Sequence, residues 1–325
     1  LPISTHTLTF LGLKPGLLTL DGPDHAGKVR MDTLDVNDGD APSGRMLGRE
    51  TLLSALKPRT LNSHKGTHGS VGIIGGAEGM VGAALLSARA ALKAGAGRVY
   101  VGLLAERAPA VDSVQPELML RRVDDVLSLP HLSSIAIGPG LGASAAAMQC
   151  LTRALQSSLP LVMDADALNL LGSADTRKSL QKQLLINAIL APHPAEAARL
   201  LGVTTAAIQA NRIAAARQIA GEYNAHVVLK GVGSVCASPD GVWCINTSGN
   251  PGMAAAGMGD VLTGLIAALL AQGASPRAAL HAAVWLHGAA ADACVQAGVG
   301  PVGLTAGETI DAARRVLNET LKQKM

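Results

Sequence analysis

Aromatic residues are nearly missing from this chain: it has two Trp, two Tyr and one Phe among 325 residues. Binding of single-stranded nucleic acid needs aromatic platforms beside a basic groove. A formal charge of +3, from 27 Lys+Arg against 24 Asp+Glu with no basic run, offers no such groove. Nucleic acid is therefore excluded as a partner. Also missing is any run of about 18 consecutive apolar residues. The longest candidate, around Val261 to Leu270, is interrupted by Thr263 and Gly264, so no membrane span is expected. No basic stretch followed by an apolar one opens the chain, so no secretory signal is readable. The start at Leu1 rather than Met reads as a cut from something longer. Cys150, Cys236, Cys244 and Cys294 include no C-x-x-C pair and no histidine at zinc spacing. They read as reduced core thiols of a cytoplasmic protein. Within a hairpin, the turn Ser238-Pro239-Asp240-Gly241 sets Cys236 opposite Trp243 rather than Cys244.

What is present is aliphatic: 48% hydrophobic residues, 16% charged residues and 37 glycines describe a tightly turned α/β chain. Residues 1–48 stand apart as a polar, turn-rich segment (KPG, DGPDHAG, NDGDAPSG) with too little apolar surface to fold alone. From Val71 onward, strand-like stretches (VGIIGG, RVYVGLL, SIAIGPG, LPLVMDA, AILAPHP, HVVLKG) alternate with helical ones, beginning with Val81 to Ala94. That alternation predicts a mostly parallel sheet with helices on both faces. A hairpin (SVCAS, VWCIN) and three helices, Met253 to Gln272, Pro276 to Ala297 and Leu304 to Leu317, complete residues 49–325 as the main domain.

The strongest chemical signal is Asn250-Pro251-Gly252-Met253-Ala254-Ala255-Ala256-Gly257-Met258-Gly259-Asp260 at the mouth of an apolar helix. Small residues let backbone N–H groups at a helix N-terminus approach an anion, and the helix dipole favours negative charge there. Asp260 would repel a phosphate in that seat unless the chemistry demands a carboxylate, which suggests a base acting on an attacking hydroxyl. The bland alternative is a helix cap. Lys230-Gly231-Val232-Gly233-Ser234 follows the strand Val227-Val228-Leu229 and suits a nucleotide phosphate or ribose, although a plain turn with a solvated lysine has the same composition. Gly138-Pro139-Gly140-Leu141-Gly142, Asp164-Ala165-Asp166-Ala167-Leu168-Asn169 and Ala191-Pro192-His193-Pro194-Ala195-Glu196 each follow a strand. Ligands in open α/β sheets sit beyond those carboxyl ends. Gly72 to Gly79 does not give G-x-G-x-x-G in register, so it is weak ground for a dinucleotide dehydrogenase. Ser63-His64-Lys65-Gly66-Thr67-His68-Gly69 reads equally as a phosphate contact or a solvated loop, while His281 and His287 lack ligand spacing.

In order, SHKGTHG, GIIGGAEGMVGAALLSARAALKAGAGRV, IGPGLG, DADALNLL, PHPAEAARLLG, VVLKGVGSV and NPGMAAAGMGDVLTG closely resemble the NAD(P)H-hydrate dehydratase family, over about Leu61 to Asn318. The resemblance implies a ribokinase-like three-layer α/β/α fold. It also implies repair of nicotinamide cofactors hydrated at the 5,6 double bond: ADP phosphorylates the ring hydroxyl of the S-epimer, and elimination of phosphate restores NADH or NADPH and leaves AMP. By motif position, Asp260 would be the base, with Gly257 and Gly259 lining the hole for the transferring phosphoryl group. Lys230, Gly231, Val232, Gly233 and Ser234, with Gly259, would hold the nucleotide. Ala83, Gly140, Gly142, His193, Asp164, Asn169 and Asp260 would meet the hydrated dinucleotide.

Glu196, in the place of the acidic residue of an N-x-x-E segment in related kinases, would organise Mg²⁺ through water. Ala195 replaces a usual Gly, which questions any positive-φ backbone there, and Ser234 replaces Thr but keeps a hydroxyl. GMGD with PHPAE resembles the branch using ADP rather than ATP. Family membership further implies a homo-oligomer, with a tetramer as one form. Residues 1 to about 36 resemble the last strands of an NAD(P)H-hydrate epimerase domain, from which no epimerase activity is expected; residues 1 to 45, which hold none of the motifs, read as dispensable for dehydration. A vitamin-precursor kinase of the same fold, a nucleotide-binding module without turnover and a hydride-transferring dehydrogenase are the competing readings.

Overall fold

The structure is a computed structural model and describes residues 3–36, 42–173 and 187–322. Its strands are β1 (His6–Phe10), β2 (Lys28–Asp32), β3 (Arg45–Met46), β4 (Ser70–Gly75), β5 (Arg98–Leu103), β6 (Met119–Arg122), β7 (Ser134–Ile137), β8 (Leu161–Met163), β9 (Ala188–Leu190), β10 (His226–Leu229), β11 (Ser234–Ala237) and β12 (Trp243–Asn246). The described helices are α1 (Gly22–Ala26), α2 (Glu50–Ala55), α3 (Val81–Lys93), α4 (Val123–Leu127), α5 (Ala145–Gln156), α6 (Ala165–Leu171), α7 (Pro194–Leu201), α8 (Thr205–Ala210), α9 (Arg212–Tyr223), α10 (Met258–Ala271), α11 (Pro276–Gln296) and α12 (Ala306–Lys322).

Ten strands form one sheet in the order β3-β12-β11-β10-β9-β8-β7-β4-β5-β6. Neighbours run parallel except β11, which is antiparallel to β10 and β12. Strict alternation places Val71 and Ile73 of β4 on one face, in a core with α3, α10, α11 and α12. Ile74 faces the other way, into a core with α5, α6, α7 and α9. Helices thus cover both faces, as the strand–helix alternation predicted. After β4 the chain adds β5 and β6 on one side, then returns to lay β7, β8, β9 and β10 on the other. This reversal opens a crevice at the carboxyl ends of β4 and β7, where ligands bind in sheets of this kind.

Several expectations need correction. The turn consumes a fifth residue, because the Ser238 N–H donates to the Val242 carbonyl and Ala237 pairs with Trp243. Cys236 therefore stands opposite Cys244, and both are free thiols. Burial pushes both thiols up, Cys236 far enough that its thiolate is strongly disfavoured. The helix expected from Met253 begins at Met258, after a separate 3₁₀ turn over Pro251–Met253, and the last helix spans Ala306–Lys322. Among the described residues one helix, Pro276–Gln296, is long and apolar enough to span a membrane by length and composition, but most of that stretch is buried as a core helix. The front segment forms its own parallel pair, β1 with β2, whereas Arg45–Met46 joins the edge of the main sheet beside β12. Residues 37–41 of its turn-rich stretch lie outside the described residues.

Candidate active site

α10 begins in the middle of the crevice. Its N-cap is Gly257, at φ 86°, a left-handed conformation that favours glycine, and no side chain caps the helix. Asp260 is the third helical residue, so the cap-only reading fails. The helix start is tied to α3 by the Ser87 hydroxyl, which donates to the Asp260 carbonyl at 2.7 Å. Burial, reinforced by Asp164 and Asp166 and opposed by Lys230, raises the Asp260 carboxyl from 3.8 to about 7. A carboxyl with that affinity for a proton is poised to accept one from a hydroxyl near neutral pH.

Lys230 leaves the end of β10 and is not a solvated turn residue: its Nζ donates to Asp164 Oδ1 at 2.6 Å and lies 4.0 Å from Glu196 Oε2. Burial pulls its pKa down, but the carboxylates of Asp164, Glu196 and Asp260 outweigh that and hold the ammonium above its ordinary value. Asp164, buried at the end of β8, also accepts from the Thr263 hydroxyl at 2.8 Å and from the Ala165 N–H at 2.8 Å. A Cβ built on Gly259 would sit 3.3 Å from Lys230 Nζ and 3.4 Å from Asp164 Oδ2, so this network abuts the first turn of α10.

His193 is the N-cap of α7. Its Nδ1 accepts from the Ala195 and Glu196 N–H groups, which leaves the ring proton on Nε2, 3.2 Å from Glu196 Oε1. Glu196 Oε2 accepts from the His193 N–H at 2.8 Å, completing a capping box. Burial raises the Glu196 carboxyl and lowers the His193 imidazole, the latter helped by Lys230. Ala195 lies in ordinary helical backbone, so the missing glycine has no conformational effect.

The remaining expected residues ring the same crevice. Gly140 lies beside Ala83, at 3.3 Å from its Cβ when a side chain is built on the glycine. The Gly142 N–H donates to Asp166 Oδ2 at 2.8 Å, and Arg199 Nη1 donates to Asn169 Oδ1 at 2.7 Å. Ser234 closes its own loop, accepting from the Gly231 N–H at 3.2 Å and donating to the Gly231 carbonyl at 2.9 Å. Val232 at the tip is exposed.

The front segment reaches this loop. The Leu20 N–H donates to the Val232 carbonyl at 3.3 Å, and a Cβ on Gly233, at φ +64°, would meet the Leu18 carbonyl oxygen at 2.1 Å. This contact bears on the expectation that residues 1 to 45 are dispensable, because a deletion would remove it. By contrast, SHKGTHG precedes β4 and lies at the amino edge of the sheet, where Gly69 packs on Ala271 at the far end of α10. It takes no part in the crevice. Burial lowers His281 and His287 to about 4, which keeps both neutral.

Among the described residues no group of three or more His, Cys, Asp or Glu side chains gathers as a metal centre. Both Glu196 oxygens already have protein partners. These residues fit a Mg²⁺ carried by nucleotide phosphates and water rather than caged by the protein. Sequence reading gave no site role to Asp166, Thr263, Arg212 or Leu20. Asp166 and Thr263 had a signal, standing two residues after Asp164 and one helical turn after Asp260.

Residues 71–311 match the family described as NAD(P)H-hydrate dehydratase. The chain belongs to that family. Among relatives, the ADP-dependent (S)-NAD(P)H-hydrate dehydratase of Neisseria meningitidis serogroup B is 45% identical over 283 residues, 84% of this chain and 95% of that protein. The bifunctional NAD(P)H-hydrate repair enzyme Nnr of Escherichia coli is 40% identical over 326 residues, 98% of this chain but 62% of the longer protein. Among solved structures, the ADP/ATP-dependent NAD(P)H-hydrate dehydratase of Bacillus subtilis, co-crystallised with ATP/Mg²⁺, is 31% identical with a TM-score of 0.75. It covers 86% of this chain and 100% of its own. The family fold is ribokinase-like, and the layers described above have that arrangement.

Proposed function

We propose that this dehydratase-family chain restores hydrated NADH or NADPH of the S configuration in a reaction driven by ADP. The carrying observation is the placement of Asp260: a carboxyl raised to about 7, in the first turn of a helix N-terminus built from small residues, beside Lys230. Hydroxide leaves poorly from carbon. Asp260 takes the proton of the ring hydroxyl as its oxygen attacks the terminal phosphorus of ADP; the bond from that phosphorus to the bridging oxygen breaks, and AMP departs. The ring's original carbon–oxygen bond then breaks, its electron pair leaving with the phosphate, the neighbouring ring carbon loses a proton, and the double bond returns. The sum is hydrate plus ADP giving NAD(P)H, AMP, phosphate and a proton.

Gly257 and Gly259 leave the N–H groups at the start of α10 open to the transferring phosphoryl oxygens. Lys230 to Ser234 hold the nucleotide. Ala83, Gly140, Gly142, His193, Asp164 and Asn169 form the dinucleotide side. Mg²⁺, when bound with the nucleotide, neutralises phosphate charge. The remainder of this reading is a front segment over residues 1–48 joined to a catalytic domain over 49–325, a cytoplasmic protein and a homo-oligomer, with the exposed Val111, Val114 and Val302 supporting association.

The deciding experiment incubates the chain with hydrated NADH and, in parallel, ADP or ATP. Recovery of absorbance at the reduced-nicotinamide band with stoichiometric AMP is expected with ADP. ATP turnover with no ADP turnover refutes the donor assignment. Phosphorylation of a vitamin precursor with no action on the hydrate refutes the whole reading.

A further inference from the structure

Arg212 takes no part in the chemistry above, yet its placement is unfavourable on three counts. It is 4% exposed. It is the first residue of α9, where the helix dipole is positive and a cation is disfavoured. Its partners are neutral: Nη1 donates to Gln209 Oε1 at 2.9 Å, while Nη2 donates to the carbonyls of Leu229 at 3.0 Å and Lys230 at 3.2 Å. Nε is buried and has no hydrogen-bond partner among the described residues. Burial draws its pKa down, and among the described residues no neighbouring charge contributes. An apolar side chain of similar length would fill this space without the desolvation penalty of a buried cation that lacks a carboxylate.

What the guanidinium touches gives the arrangement its sense. The two carbonyls belong to the last residue of β10 and to Lys230 itself. A Cβ on Gly231 would meet both terminal nitrogens at 2.9 Å, so the guanidinium lies directly against the loop where it leaves the sheet. On its far side the same loop meets Leu18 and Leu20 of the front segment.

We infer that Arg212 is a positioning residue for nucleotide binding, gripping the carbonyls of the two peptides that flank Lys230 and placing an uncompensated positive charge beneath the loop that receives a nucleoside diphosphate. This rests on the proposed role of residues 230–234. The planar fork is what allows one nitrogen to hold both carbonyls while the other reaches Gln209, which lysine cannot reproduce. The buried charge also has a direction: among the described residues it meets no anion, and a bound diphosphate supplies one.

The test compares Arg212→Met, which keeps length and apolar bulk but removes charge and grip, with Arg212→Lys, which keeps the charge alone. ADP affinity by calorimetry, KM for ADP, KM for the hydrate, kcat at saturating ADP and thermal melting are measured on the full chain. Arg212→Met should raise the Kd and KM for ADP about tenfold or more, the usual consequence of losing hydrogen bonds to a charged group. Arg212→Lys should raise them less, while kcat and the hydrate KM stay within about twofold in both. A folded Arg212→Met with unchanged ADP affinity overturns the inference, as does a parallel fall of kcat with both KM values rising. If Arg212→Met does not fold, Arg212→Lys decides alone: an unchanged ADP KM refutes the role. A wild-type chain that binds no ADP instead removes the nucleotide reading itself, and this inference with it.

Discussion

Replacing Asp260 by Asn sets folding against chemistry. In the native protein the carboxyl is held at about 7 instead of 3.8, by burial first and then by Asp164 and Asp166, against the pull of Lys230. At 1.36 kcal/mol per pKa unit, this corresponds to about 4 kcal/mol that the ionised carboxylate withholds from native stability above neutrality. The sign follows from proton uptake. Between 3.8 and about 7 the native state binds more protons at this group than the unfolded chain does, so its contribution to stability falls as pH rises through that window. Asparagine carries no charge at any pH. The variant should therefore gain stability over wild type at pH 8, with about 4 kcal/mol as the ceiling, and much less at pH 5. Turnover should nevertheless fall at least 10²-fold, because the amide cannot accept the hydroxyl proton. ADP affinity should hold or rise, since a negative charge beside the phosphates is gone. Urea melts at both pH values, a turnover assay and an ADP titration on one preparation decide. Near-normal turnover refutes the base role, and a variant less stable than wild type at pH 8 refutes the buried-carboxylate argument.

Other predictions follow from the same network. The rate at limiting substrate should climb with pH to a plateau, with a midpoint near the value of about 7 held by Asp260, and a profile flat from pH 5 to 8 counts against deprotonated Asp260 as the active form. Lys230→Met leaves the 2%-exposed side chain of Asp164 without its 2.6 Å partner and should lower stability by about 3–5 kcal/mol in chemical denaturation; a loss below about 1 kcal/mol argues that water replaces the lysine. Gly233→Ala drives a Cβ into the Leu18 carbonyl at 2.1 Å from a φ of +64°. It should weaken ADP binding more than hydrate binding, and equal effects on both would show that the front segment does not support the nucleotide loop.

Legibility in the sequence divides along a physical line. Asp260, Lys230, Asp164 and His193 were found because each ends a strand or opens a helix, and the small residues around them record a backbone that must come close to something. That record is local, and so was its reading. Thr263, which bonds to Asp164 across 99 positions, stands on the apolar face of a helix where only the folded sheet reveals its partner. Arg212 carried no signal, because nothing nearby in sequence announces that its guanidinium turns back to the end of β10. The Cys236 register failed by one residue, since a single extra turn residue shifts every cross-strand pair. SHKGTHG has composition suited to phosphate but enters its strand from the amino end, and in a parallel sheet that alone puts it a full strand length from the ligands. Composition proposes which residues can do chemistry; strand direction decides which of them meet, and in this chain it brings together those that follow a strand and separates those that precede one.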